Sequence, residues 1–350
     1  PAAAPIVTLW LIAPLIAWWI SRPLFRKEAE LGSEQKHFLR KLARRTWLFF
    51  DTFVTANDHW LPPDNYQEDP VDVLALRTSP TNIGLSLLAN LSAYDFGYIS
   101  VGKLLERTEN TFQTLHGMDR YRGHFYNWYD TLTLAPLPPT YVSSVDSGNL
   151  SGHLLTLAAG FDALPEQTII NVRTFDGLAD TIANWVEAAA GSATPELANL
   201  QREVESACEA APTTVEAAHA LLTQFANKVD SALGPSPDKD AHNWAHAFHQ
   251  QCLDSVRDLS FLVPWTELAG PPFGLHEWLH ELPGISSIPT LRELSRLDAV
   301  FAHWLDKTEI ANTDTSALAW FDQLRPVIAV ASLRARERIN KLERLTGESR

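Results

Sequence analysis

Only two cysteines, Cys208 and Cys252, and one methionine, Met118, occur in 350 residues. So few cysteines exclude a disulfide-stapled scaffold. They fit a reducing compartment, or a fold that needs no staples. Cations are scarce as well: 28 Lys and Arg stand against 42 Asp and Glu, a net charge of −14. That balance argues against nucleic acid as a partner, because phosphate binding needs a cationic surface. Tyrosine disappears after Tyr141, although all seven lie between Tyr66 and Tyr141. This asymmetry predicts two differently built halves, with a boundary near residue 163. The chain opens on Pro1 without an initiating methionine and stops in the charged run GESR. It reads as a piece of a longer protein.

Charge is also missing from Ala2 to Ile20, where Thr8 is the one polar residue. Nineteen helical residues at about 1.5 Å each come close to a bilayer core of about 30 Å. Trp10, Trp18 and Trp19 suit a membrane interface, and Arg22, Arg26 and Lys27 come directly after. This pattern predicts a transmembrane segment with a basic flank over residues 1–27, and cytoplasmic chain after it. A signal peptide has its charges before the apolar run, the reverse of the order here. A buried core helix is the other reading, favoured by Pro5 and Pro14.

Beyond residue 27 the chain reads as helices separated by polar, aromatic loops. Ser33 is placed to cap a helix to about Thr55, with Phe38, Leu39, Leu42, Ala43, Phe49, Phe50, Phe53 and Val54 at helical spacing. Ser79-Pro80 is an N-cap with proline at the first helical position. Ser100 caps a third helix stopping near Gly117, and a fourth is expected from about Asn149. The run TNIGLSLL (Thr81 to Leu88) resembles GNLSGHLL (Gly148 to Leu155), 67 residues later. With a helix between them, the two segments form a weak repeat of the kind found in an α/α toroid. The second half is rich in Ala and Glu. Its candidate helices are Val172–Ala189, Pro195–Ala211, Thr214–Leu233, Asp240–Leu262, Pro289–Ala311 and Ser316–Leu345. Arg334 to Arg344 is charged on most faces and is expected to project from the body.

Three loops combine carboxylates and amides with aromatic faces and hydroxyls: Leu61 to Asn82, Arg120 to Asp130, and Tyr141 to Asn149. Sugars need this mixture, since their C–H faces stack on aromatic rings while their hydroxyls pair with Asp, Asn, Arg and His. Helix N-termini at Ser79 and Ser147 would aim free N–H groups into the same cleft. Each loop also has a plain structural reading. Asp64 and Asn65 are turn formers after two prolines, Ser79 is a cap, and Tyr126, Trp128 and Tyr129 form a core strand.

RRTWLFFDTFVT, LPPDNYQEDP, RTSPTNIGL, RGHFYNWYDT and YVSSVDSGNL resemble, in order, the opening motifs of the glycoamylase-like domain of cyclic β-1,2-glucan synthases. The apolar run ending in AWWISRP resembles the last membrane helix before that domain. The resemblance covers about residues 1–162; residues 163–350 carry no such motif. It implies an all-α fold: a membrane helix and flank over 1–27, an incomplete (α/α)6 toroid over 33–162, and a helical bundle-like insertion over 163–350. It also implies a large bacterial inner-membrane enzyme. An upstream glycosyltransferase module uses UDP-glucose, this domain cyclises the β-1,2-glucan chain by retaining transglycosylation, and a downstream phosphorylase-like module trims it. No cofactor is implied for this domain.

Substrate contacts are then expected in the three loops. The first supplies Asp64, Asn65, Gln67, Glu68, Arg77, Thr78, Ser79 and Asn82. The second supplies Arg122, His124, Tyr126, Asn127, Trp128, Tyr129 and Asp130, and the third Ser144, Asp146, Ser147 and Asn149. Asp64, Glu68, Asp130 and Asp146 are expected to grip glucose hydroxyls. A retaining mechanism needs two carboxyl groups about 5 Å apart. The family's glutamate motifs, of the GSMFEY and GISES type, do not occur here, so the catalytic pair is expected beyond Arg350.

Two rival readings stay open. His276-Glu277-Trp278-Leu279-His280 is a literal H-E-x-x-H that on a helix would make a zinc hydrolase site, with His303 or Glu309 as third ligand. Prolines and glycines on both sides leave it barely two turns. His242, His246 and His249 also have ligand-like spacing, but read better as a solvated helix face. The other rival is a non-enzymatic helical scaffold.

Overall fold

The computed structural model describes residues 3–22, 31–191, 193–234, 239–268, 285, 287–307 and 315–350. The described chain is mostly helical, with six two-residue strands confined to loops, so the all-α expectation holds. It divides into two compact units, 1–39 and 40–350.

The first unit contains helix α1, Ala4–Ile20, with Pro5 in its first turn and Pro14 inside it. Every one of its residues is exposed. The expected transmembrane segment is corrected here. Seventeen residues make a helix of about 26 Å, short of a bilayer core of about 30 Å. Among the described residues no helix is long and apolar enough to cross a membrane. Helix α2, Ser33–Phe53, matches the predicted span closely.

In the second unit, one hydrophobic core runs from Leu61 to Leu345 and passes through residue 163 without a break. Helix α3, Pro80–Asp95, starts where Ser79 accepts the Asn82 N–H, and α4, Val101–Gly117, where Ser100 accepts that of Lys103. Each is the cap read from sequence. Helix α5, Ser144–Ala163, starts five residues earlier than expected. The Ser143 hydroxyl accepts the Asp146 N–H (3.1 Å), so Ser147 is interior and its free N–H is lost to the helix.

Helices α3 and α5 lie side by side and run parallel. A methyl group on Gly84 would sit 2.4 Å from His153 Nδ1, and one on Gly160 would sit 2.4 Å from Leu91 Cδ2. Residues 84 and 91 thus meet 153 and 160 in the same order, an offset close to that of the sequence repeat. Parallel packing with α4 as the return puts both helix N-termini, and the loops before them, at one end.

The second half continues the same body. Helix α6, Val172–Ala188, buries Phe175, Leu178, Ile182 and Trp185 along one stripe, each burial contributing roughly 1.5–3 kcal/mol. It packs on α7, Pro195–Glu209, and on the long helix α10, Lys239–Leu262, where Trp185 meets Phe248 at 6.0 Å. Helices α8, Val215–Asn227, and α9, Val229–Leu233, split the predicted Thr214–Leu233 run. The predicted Pro289–Ala311 helix is broken at Ser295 and Arg296 into α11, Leu291–Leu294, and α12, Leu297–Lys307.

The last helix, α13, Thr315–Ser349, does not project. Ile328, Ala331, Ala335, Ile339, Leu342 and Leu345 bury one stripe, and the helix packs on α5, α12 and α10. Its charged faces have partners. Arg338 forms a bidentate pair with Asp258 (2.7 and 3.1 Å), while Lys341 and Arg344 both reach Glu109.

Candidate functional site

The three polar loops meet at the N-terminal end of the α3–α5 pair. Backbone pairing brings them together. Strands β1, Tyr66–Gln67, and β2, Val73–Leu74, close a hairpin in the first loop. Strand β3, Arg77–Thr78, pairs with the second loop, with Arg77 opposite Asp130 and Thr78 opposite Tyr129. The Asn127 N–H in turn donates to the Tyr141 carbonyl of the third loop (2.8 Å).

A series of side-chain contacts crosses all three. Asp64 Oδ2 accepts from Arg77 Nη2 (2.9 Å) and Asn65 Nδ2 (3.1 Å), and its Oδ1 accepts from Asn82 Nδ2 (3.2 Å). The Arg77 guanidinium lies 4.8 Å from the centre of the Trp128 ring, within cation–π range. Asn127 is buried, and one orientation of its amide satisfies its surroundings. In that orientation its oxygen accepts from Trp128 Nε1 (2.5 Å) and its nitrogen donates to Asp146 Oδ2 (3.2 Å). Asp146 Oδ1 accepts from the Thr81 hydroxyl (2.6 Å), which accepts from Asn149 Nδ2 (3.1 Å). Asp146 sits in the first turn of α5, where the helix dipole favours a negative charge.

Other expected residues make structural contacts. Tyr129 is fully buried; its hydroxyl accepts the Tyr126 N–H and donates to the Asp119 carbonyl, both at 2.7 Å. Tyr126 packs half-buried against the core. Asp130 closes a turn, accepting from the Thr133 N–H (2.8 Å), the Leu132 N–H and the Thr133 hydroxyl. The Thr133 N–H above all holds its carboxyl below the usual range. Ser79 is a buried cap, and Thr78 is buried in its strand.

Gln67 and Glu68 lie exposed on the β1–β2 hairpin, apart from the polar series. Arg122 and His124 are exposed on a second hairpin, β4 (Arg120–Tyr121) with β5 (His124–Phe125). Ser144 is exposed at the start of α5, and Ser147 lies inside that helix. Thr81 and Tyr141 were not singled out by sequence reasoning. The signal for Thr81 was its place two residues after a cap, at the start of the repeat.

A carboxylate offers about four acceptor positions, so Asp146, with two internal bonds, retains lone pairs, whereas Asp64 accepts four bonds, three of them crowded on Oδ2, and has room only on Oδ1. With the Trp128 face beside them, they form a rigid array suited to hydroxyl groups. The H-E-x-x-H at 276–280 and Glu309 lie outside the described residues. His303 is described, as are His242 and His246, which are exposed, and His249, which is half-buried. Among the described residues, no group of three His, Cys, Asp or Glu is placed to hold a metal ion.

No family model matches the chain. Over 186 residues, 53% of its length, it is 45% identical to the cyclic beta-(1,2)-glucan synthase NdvB of Rhizobium meliloti (strain 1021). The chain spans 7% of the length of that relative. It contains a segment related to a cyclic β-1,2-glucan synthase.

Proposed function

We propose that this chain holds β-1,2-glucan within the transglycosylase domain of a cyclic β-1,2-glucan synthase. The observation that supports this reading is the series of contacts from Asp64 to Asn149, which joins three loops at the shared end of two parallel helices. In this reading α3, α4 and α5 are inner, outer and inner helices of an α/α barrel. Glucose hydroxyls bind Asp64 and Asp146, and a sugar face stacks on Trp128. The acid and nucleophile of a retaining mechanism are supplied elsewhere in the polypeptide, as are the modules that extend the glucan from UDP-glucose and trim it.

Calorimetry with linear β-1,2-gluco-oligosaccharides tests this on the 350-residue chain and on the whole synthase. Asp146→Ala should weaken binding about tenfold to a hundredfold, the loss of one or two hydrogen bonds to a charged acceptor. In the synthase, cyclic product should fall while the folded state persists by circular dichroism. Undiminished binding by Asp146→Ala and Asp64→Ala, or equal affinity for β-1,4-linked oligosaccharides, would sink the proposal.

A further inference from the structure

Asn127 lies between β5 and β6, Tyr129–Asp130, and is 6% exposed. That leaves its amide little surface to offer a sugar. Instead, Asn127 is the point where the second loop, the third loop and the first turn of α5 converge. Its backbone N–H donates to the Tyr141 carbonyl (2.8 Å). Its side-chain oxygen accepts from Trp128 Nε1 (2.5 Å) and from the Tyr141 hydroxyl (3.0 Å), while its nitrogen donates to Asp146 Oδ2 (3.2 Å). The neighbours dictate this orientation. An indole N–H only donates and a carboxylate only accepts, so turning the amide over would set donor against donor and acceptor against acceptor.

The three groups held by the amide all reach further into solvent than Asn127 does. Trp128 and Asp146 are half-buried, and Tyr141 is exposed. Holding an indole N–H and a carboxylate together takes an acceptor and a donor on one short planar group. A carboxamide supplies both, whereas an ionised carboxylate supplies acceptors only.

We propose that Asn127 is the positioning residue of the loop site: it orients Trp128, Tyr141 and Asp146 toward a bound glucan without touching it, a role that rests on the carbohydrate reading of these loops. Asn127→Asp tests it, because the variant has two states. With one proton shared between the introduced acid and Asp146, the acid donates to Asp146 and accepts from Trp128, as the amide does. Two carboxylates at the 3.2 Å separation found here do not both ionise readily, so that proton leaves above the usual carboxylate value of about 4. At higher pH the two charges repel and the bond to Asp146 is lost. The other titratable and charged groups facing the pair are the Tyr141 phenol, a group that titrates near about pH 10, and Arg77 with Asp64 across the Trp128 ring.

The affinity of the full chain for linear β-1,2-gluco-oligosaccharides is measured from about pH 4.5 to 8, as a ratio of variant to unaltered chain. The ratio should be within about threefold of one at the acid end and fall to about a tenth or less at the other, the loss of one charge-assisted hydrogen bond. In ligand-free chain labelled with 5-fluorotryptophan, the Trp128 ¹⁹F resonance, assigned through Trp128→Phe, should titrate over the same range. Adding Asp146→Asn should lower that midpoint to the ordinary carboxylate range. A ratio that is flat with pH, whether high or low, or a Trp128 resonance that does not titrate, would overturn the positioning role and leave the loop site standing. No binding by the unaltered chain would sink the loop site and this role with it. If Asn127→Asp fails to fold, Tyr141→Phe carries the test. Losing that hydroxyl should shift the Trp128 resonance and weaken binding about threefold to tenfold, and an unmoved resonance would overturn the role.

Discussion

Replacing Gly97 by alanine should destabilise the protein by up to about 5 kcal/mol, in the range reached only by severe packing or backbone defects. Gly97 has φ +79°, and a Cβ there would sit 1.8 Å from the Arg173 carbonyl oxygen and 2.5 Å from its carbon. Both are backbone atoms at the start of α6 and have no rotamer through which to escape. The left-handed conformation alone costs about 1–2 kcal/mol for a residue with a side chain, and overpacking typically adds about 1–3 kcal/mol. The displacement would also disturb the bond that the Gly97 carbonyl accepts from Gln251. The thermal midpoint should fall by up to about 8 °C. Gly117→Ala is the control: nothing lies within 4 Å of the position its methyl group would take, so the midpoint should hold or rise slightly. Equal midpoints for the two variants would mean that α6 does not press on the α3–α4 turn.

Cutting the Arg338–Asp258 pair should have the next largest effect. The two side chains are 9% and 10% exposed, and Asp258 Oδ2 also accepts the Gly102 N–H at the start of α4 (3.3 Å). The pair therefore ties α13 to α10 and α4. Arg338→Met strands a buried carboxylate, at an expected loss of about 3–5 kcal/mol by urea unfolding. Removing both charges, as Arg338→Met with Asp258→Leu, should recover most of that loss, because the desolvation of both ions is then relieved. The half-exposed pair of Arg344 with Glu109 should matter by less than about 1 kcal/mol. A loss that small for Arg338→Met as well would show that α13 is held by its apolar stripe alone.

Much of the helical framework was legible locally. Ser79 and Ser100 are caps whose hydroxyls accept an N–H three residues on, and each was placed by residue type and the apolar period after it. The misplaced start of α5 has a local cause. Gly148 and Asn149 look like helix breakers, and Ser143, Ser144 and Ser147 offer competing caps before the first leucine, Leu150. The structure uses the first of them, Ser143. Asp130 and Tyr129 show the same limit. Both belong to a motif whose residue types suit sugars, yet Asp130 Oδ1 takes three bonds of a turn and Tyr129 is buried in the core.

The N-terminal run shows how a one-dimensional count misleads. Among the described residues the run forms a seventeen-residue helix, Ala4–Ile20, and no helix there is long and apolar enough to cross a membrane. The charge on Arg334 to Arg344 likewise suggested a solvated arm. Counting charges ignores where their partners are: Asp258 and Glu109 lie on other helices, far away in sequence.

The sequence by itself determined the helical class, most helix boundaries and the kinship with a glucan synthase, because capping and periodicity act over a few residues and shared motifs survive as letters. Tertiary structure alone decided that Asp64, Arg77, Trp128, Asn127 and Asp146 join in one series of contacts. Those contacts depend on two parallel helices lying in register, which neighbours along the chain do not set.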